Sequence, residues 1–74
     1  MTDRERICDR FGRYVRRERA WAGMTQKQLA EQVSLYQPQI SRMERGEMCP
    51  RLDAVVRILA CLGADPREML EALD

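Results

Sequence analysis

The stretch Thr25-Gln-Lys-Gln-Leu-Ala-Glu-Gln-Val-Ser-Leu-Tyr-Gln-Pro-Gln-Ile-Ser-Arg-Met-Glu-Arg-Gly46 decides the fold. Thr25 followed by Gln28 has the capping-box spacing, so a helix opens there, with Leu29, Ala30 and Val33 on one face. Met24, just before the cap, is placed to staple onto Leu29. Ser34, Leu35 and Tyr36 break this helix, and a second runs from about Gln37 to Arg45 with Ile40 and Met43 turned inward. Pro38 is tolerated in its first turn, where the N–H groups have no intrahelical acceptor, and Gly46 ends it. So short a connection forces the two helices to cross steeply. Ala30 is small enough for the contact point, and Leu35 and Ile40 fill the angle between them. The outward face of the second helix carries Gln37, Gln39, Ser41 and Arg42, side chains that can pair with base edges and phosphates.

Helices are predicted on both sides of this unit. Thr2 and Glu5 have capping-box spacing, and Ile7, Phe11, Tyr14, Val15 and Ala22 recur at helical intervals, which predicts a helix over Asp3 to Ala22 that stops at Gly23. Gly12 weakens it by up to ~1 kcal/mol relative to alanine. A loop from Glu47 to Arg51 holds Cys49 and Pro50. A helix over Leu52 to Leu62 follows, with an apolar stripe of Leu52, Val55, Val56, Leu59 and Leu62, and Gly63 closes it. In the last helix Asp65 is the cap, Pro66 the first helical residue and Glu68 the partner in the box, and Leu73 ends it. The pattern is all-α, five helices in one domain over residues 1–74, with no strand-like alternation.

Composition narrows the function classes. The net charge of +1 does not by itself mark a nucleic-acid binder. The charge is polarised, however: it is basic up to Lys27 and acidic from Leu52 onward, as suits one face toward an anion and another toward a partner. Nothing resembles a signal peptide or a membrane span, which sets the cytoplasm as the expected compartment. The 3 cysteines, Cys8, Cys49 and Cys61, form no Cys-x-x-Cys pair, and there is no histidine. That argues against a disulfide framework and a zinc site, so no metal or cofactor is expected. Cys8 and Cys61 read as small apolar filler, whereas Cys49 lies in a loop. With no nucleophile-and-base pairing and no phosphate-binding glycine loop, the chain does not read as an enzyme.

The sequence resembles the XRE family, the Cro and phage-repressor type of helix-turn-helix proteins, over about Phe11 to Leu70. The resemblance is carried by Thr25-Gln26 with Leu29-Ala30, by Ile40-Ser41-Arg42-Met43-Glu44-Arg45-Gly46, by Pro50-x-Leu52 and by Leu62-Gly63. It implies a lambda-repressor-like DNA-binding domain whose second and third helices form the helix-turn-helix. It also implies that the helix from Gln37 is the recognition helix, with Gln37, Pro38, Gln39, Ser41 and Arg42 facing bases of the major groove. Gln26 and Lys27 would meet phosphate at the start of the second helix, and Arg45, Gly46 and Arg51 would approach the backbone beyond the third. Arg19 and Glu44 would form a structural ion pair. The chain departs from the family at Ser34, which replaces the usual turn glycine. A left-handed backbone there costs about 1 kcal/mol. Tyr36 replaces the usual small hydroxyl cap, although Pro38 removes one of the donors needing a cap.

Several residues have plainer readings. Gln28 and Gln32 read as solvated helix positions, and most arginines before Trp21 as exposed ion pairs of little energetic consequence. Arg13 or Arg16 could reach phosphate. Trp21 fits either the core or a cover over the end of the first helix. Met69, Leu70 and Leu73 exceed what so small an interior can absorb, which points to a homodimer interface. Two copies would read the half-sites of a pseudo-palindromic operator about one helical turn apart. The expected function is therefore an autoregulatory transcriptional regulator of the restriction-modification controller or phage and plasmid type. Double-stranded DNA is the expected partner, and no small-molecule ligand or ligand-sensing segment is expected. The alternative is an antitoxin whose main partner is a protein, which co-purification with a neighbouring gene product would reveal.

Overall fold

Side-chain caps start three of the five helices of this computed structural model, which describes all residues Met1–Asp74. Helix α1 (Asp3–Trp21) is capped by the Thr2 hydroxyl, which accepts from the Glu5 N–H. Helix α2 (Gln26–Gln32) has the full reciprocal box, with Thr25 Oγ1 accepting from Gln28 N and Gln28 Oε1 from Thr25 N. Helix α3 is Gln37–Glu44, α4 is Leu52–Leu62 and α5 is Pro66–Leu73, the last capped by Asp65. No strand is present.

The core collects Phe11, Tyr14 and Val15 from α1, Leu29 and Ala30 from α2 with Val33 at its end, Ile40 and Met43 from α3, Ile58 and Leu59 from α4, and Met69 from α5. Helix α1 is the spine, packing against α3, α4 and α5, while α2 packs on α3 and α4. Gly12 lies where α1 crosses α3: a Cβ there would sit 2.1 Å from the Met43 carbonyl oxygen. Gly12, a weakness in α1 by helix propensity alone, is what lets α3 approach so closely. Ser34 adopts φ 59°, the left-handed conformation that the turn demands.

Three expectations are corrected. The inward stripe of α4 is rotated: Ala54, Ile58 and Leu59 are buried, whereas Leu52 and Val56 are exposed. Met69, expected at a dimer surface, is buried in the monomer core beside α1, and Leu73 is half-buried against it, which leaves Leu70 exposed. Cys8 and Cys49 are disulfide-bonded, their Cα atoms 5.2 Å apart, because the loop after α3 folds back on α1. Spacing along the chain could not foresee this link between residues 41 positions apart. Cys61 is free and half-buried, and Trp21 is 89% exposed.

Candidate nucleic-acid interface

A relay of side chains joins α1, α2 and α3 beneath the outward face of α3. It is anchored by Glu44, whose side chain is only 2% exposed. The Glu44 carboxylate accepts from Arg19 Nε at 2.7 Å and Nη2 at 3.0 Å, a bidentate, charge-assisted pair. The third guanidinium nitrogen, Arg19 Nη1, donates to the Met24 carbonyl at 2.8 Å and so fixes the turn before α2. Hydrogen bonding to Glu44 outweighs the desolvation of Arg19 and raises its pKa further, so the guanidinium stays charged. Glu44 Oε1 also accepts from Gln26 Nε2 at 3.1 Å, and Gln26 Oε1 accepts from Gln37 Nε2 at 2.8 Å. The buried pair thus orients the first residue of α2 and, through it, the first residue of α3.

The other residues implicated by the sequence fall into groups. Pro38 and Arg42 are exposed on α3, and neither Arg42 nor Lys27 has an ion-pair partner. Ser41 accepts from Arg45 Nη1, while Arg45 Nη2 donates to Glu47 at 2.9 Å. That hydrogen bond lowers the pKa of Glu47 and raises that of Arg45. Gly46, at φ 76°, lies against Asp9, and Arg51 is exposed with Asp53 3.6 Å away. Gln39 is diverted from the outward face: it is half-buried, and its Oε1 accepts from the Tyr36 N–H at 2.8 Å. The glutamine thereby makes the reciprocal half of a capping box, satisfying the N–H of the cap residue itself, while the Gln39 N–H turns back to the Tyr36 carbonyl at 2.9 Å.

Of Arg13 and Arg16, the structure singles out Arg16, which shares with Arg19, Gln26, Ser41, Glu44 and Arg45 a polar concavity of about 230 Å³. Alternating charge along α1 hides it, because nothing in the sequence separates Arg16 from Arg13, which pairs with Asp9 at 3.2 Å. A larger groove of about 760 Å³ runs alongside, lined by Lys27, Tyr36 and Gln37 among others. The face therefore has free cations, amides held in set orientations and an exposed aromatic ring around the end of a helix. Such a surface suits phosphates at its rim and base edges at its centre.

Two neighbouring helices joined by a short turn, with the second exposed beyond a buried tie, match the family model described as a helix-turn-helix domain over residues 10–73. The chain belongs to this helix-turn-helix family. It is 35% identical over 72 residues to control protein C.BamHI of Bacillus amyloliquefaciens, covering 96% of this chain and 86% of the relative. The clp gene regulator ClgR from Corynebacterium glutamicum superposes with a TM-score of 0.86 at 25% identity, covering 90% of this chain and 71% of ClgR. A mutant of the restriction-modification controller protein C.Esp1396I has the same fold, with a TM-score of 0.80 at 24% identity, covering 90% of this chain and 85% of the controller. This helix-turn-helix protein is a DNA-binding regulator, and α2 and α3 are its helix-turn-helix.

Proposed function

We propose that this helix-turn-helix protein is a controller-type transcriptional regulator that binds a pseudo-palindromic operator as a homodimer and regulates its own expression. The observation that carries the reading is the Arg19–Glu44–Gln26–Gln37 relay, which sets the recognition helix and the start of α2 as one rigid unit. Gln37, Pro38, Ser41 and Arg42 then meet base edges in the major groove, with Gln39 reduced to a supporting role. Gln26, Lys27, Arg45, Gly46 and Arg51 meet the phosphates. The identity to control protein C.BamHI supports the controller assignment.

Dimensions and exposure support a dimer. The longest extent of the molecule is 30 Å, less than the ~34 Å between successive major-groove faces, so one copy reaches one half-site. Leu70 on α5 and Leu52 and Val56 on α4 are 61%, 78% and 59% exposed, apolar side chains for which a single copy has no partner. A salt titration on the DNA upstream of its own gene, against scrambled DNA of equal length, tests the reading. Specific binding should exceed non-specific binding by at least about a thousandfold. Equal affinities with the same salt slope would reduce the protein to a general DNA binder.

A further inference from the structure

The loop after the recognition helix is joined to α1 by a bond that the DNA-binding reading does not require. Cys8, in the first half of α1, is 5% exposed, and Cys49 is half-buried in the loop. Between the end of α3 and the start of α4, neither Met48, Cys49 nor Arg51 donates a backbone hydrogen bond, and Pro50 has none to donate. The close approach of Gly46 to Asp9 and the packing of the Met48 side chain fix the beginning of this loop, and the Cys8–Cys49 link fixes the rest. Arg45 and Arg51, both placed at phosphates above, flank it. A cleft of about 330 Å³ opens over both cysteines, with Arg4, Glu5 and Glu47 at its wall, so a small thiol has access to the bond.

We propose that Cys8 and Cys49 form a reversible redox site whose reagent is a low-molecular-weight thiol and its disulfide, and that the bridge sets the affinity for DNA phosphates. In reduction, an external thiolate attacks Cys49 Sγ, the more accessible sulfur. The Cys8–Cys49 bond breaks, a mixed disulfide forms at Cys49, and Cys8 leaves as a thiolate that takes up a proton. A second external thiolate attacks the sulfur of the bound reagent, releasing the small disulfide and the Cys49 thiolate, which is protonated in turn. Two small thiols are oxidised and one protein disulfide is reduced; oxidation runs the same steps backward. The bridged loop is already ordered when it meets DNA, whereas the reduced loop must be ordered on binding, so the oxidised protein binds more tightly. The consequence for DNA rests on the reading above; the chemistry at the two sulfurs does not.

The test uses the full chain with Cys61→Ser, equilibrated with reduced or oxidised glutathione and then alkylated with N-ethylmaleimide. Mass spectrometry should find no alkyl group on Cys8 or Cys49 after oxidation and one on each after reduction. DNA titrations should show oxidised protein binding about threefold or more tightly than reduced protein, by the same ratio on upstream and scrambled DNA, because the loop meets phosphates alone. In Cys49→Ser the ratio should fall to one. Alkylation of both cysteines after oxidation, or equal affinities of the two forms, overturns the proposal. The ratio remains readable on scrambled DNA, so a loss of sequence preference would count against the operator reading and leave this test intact.

Discussion

Arg19→Met removes one half of the buried ion pair at the base of the relay and keeps much of the apolar stem. The variant loses both hydrogen bonds to Glu44, at 2.7 and 3.0 Å, and the one to the Met24 carbonyl. It also leaves a carboxylate that is 2% exposed with Gln26 as its remaining side-chain donor. Breaking such a pair from one side costs about 3–5 kcal/mol, most of it the penalty of an uncompensated buried charge. A chain of 74 residues has a total stability on the order of 4–11 kcal/mol, so the loss takes a large share of it. The double variant Arg19→Met with Glu44→Leu removes both charges and should recover all but about 1–2 kcal/mol, since apolar replacement of a buried pair is often close to neutral. Urea unfolding followed by helical circular dichroism measures the single and double variants. DNA affinity should not recover in the double variant, because Gln26 has lost the acceptor that orients it toward Gln37. A single-variant loss under about 1 kcal/mol, or a double variant no more stable than the single, would refute the reasoning.

Gly12→Ala should fail to fold or lose at least about 3 kcal/mol, because its Cβ meets the Met43 carbonyl oxygen on a neighbouring helix; thermal unfolding checks this. Tyr14→Phe should leave stability unchanged or raise it, since the buried Tyr14 hydroxyl makes no hydrogen bond of good geometry, with Glu18 its nearest acceptor; thermal unfolding checks this too. Glu47→Gln frees Arg45 for phosphate, so non-specific DNA binding should tighten and the slope of log K against log salt should steepen by about one. The hydrogen bond from Arg45 holds the Glu47 pKa below its usual value. Any stability it adds is therefore present above the ordinary carboxylate pKa and lost as pH falls through the lowered value. An NMR titration of Glu47 should show its midpoint rising toward the ordinary value in Arg45→Ala.

Local chemistry was legible in the sequence wherever the physics is local. Thr25 with Gln28, Asp65 before Pro66 and Gly63 after Leu62 mark helix ends through hydrogen bonds within a few residues, and the structure has those ends. The inward placement of Leu29, Ala30, Ile40 and Met43 follows from helical period, and the Arg19–Glu44 pair from the family pattern around it. What stayed hidden depends on which element lies opposite. Gly12 gains its meaning only from the Met43 carbonyl across the helix crossing, and Cys8 only from a loop that returns to it. Periodicity gave α5 an apolar face without saying that α1 already covers Met69. Gln39 fits a base-reading face by residue type, yet the N–H of Tyr36 before the helix draws its amide oxygen back to the backbone.

The central claim is that α3 reads bases while the residues around it grip phosphate, and a comparison of Arg42→Ala with Lys27→Ala tests it most directly. Both side chains are exposed, carry one positive charge and lack an ion-pair partner, so bulk electrostatics treats the two substitutions alike. Titrations at several salt concentrations on upstream and scrambled DNA should separate them. Arg42→Ala should lose about 1–3 kcal/mol on upstream DNA and little on scrambled DNA, which narrows the preference between the two. Lys27→Ala should weaken binding to both equally and lower the salt slope by about one. Equal losses on both DNAs for Arg42→Ala would mean that α3 grips phosphate without reading bases, and the account would be contradicted.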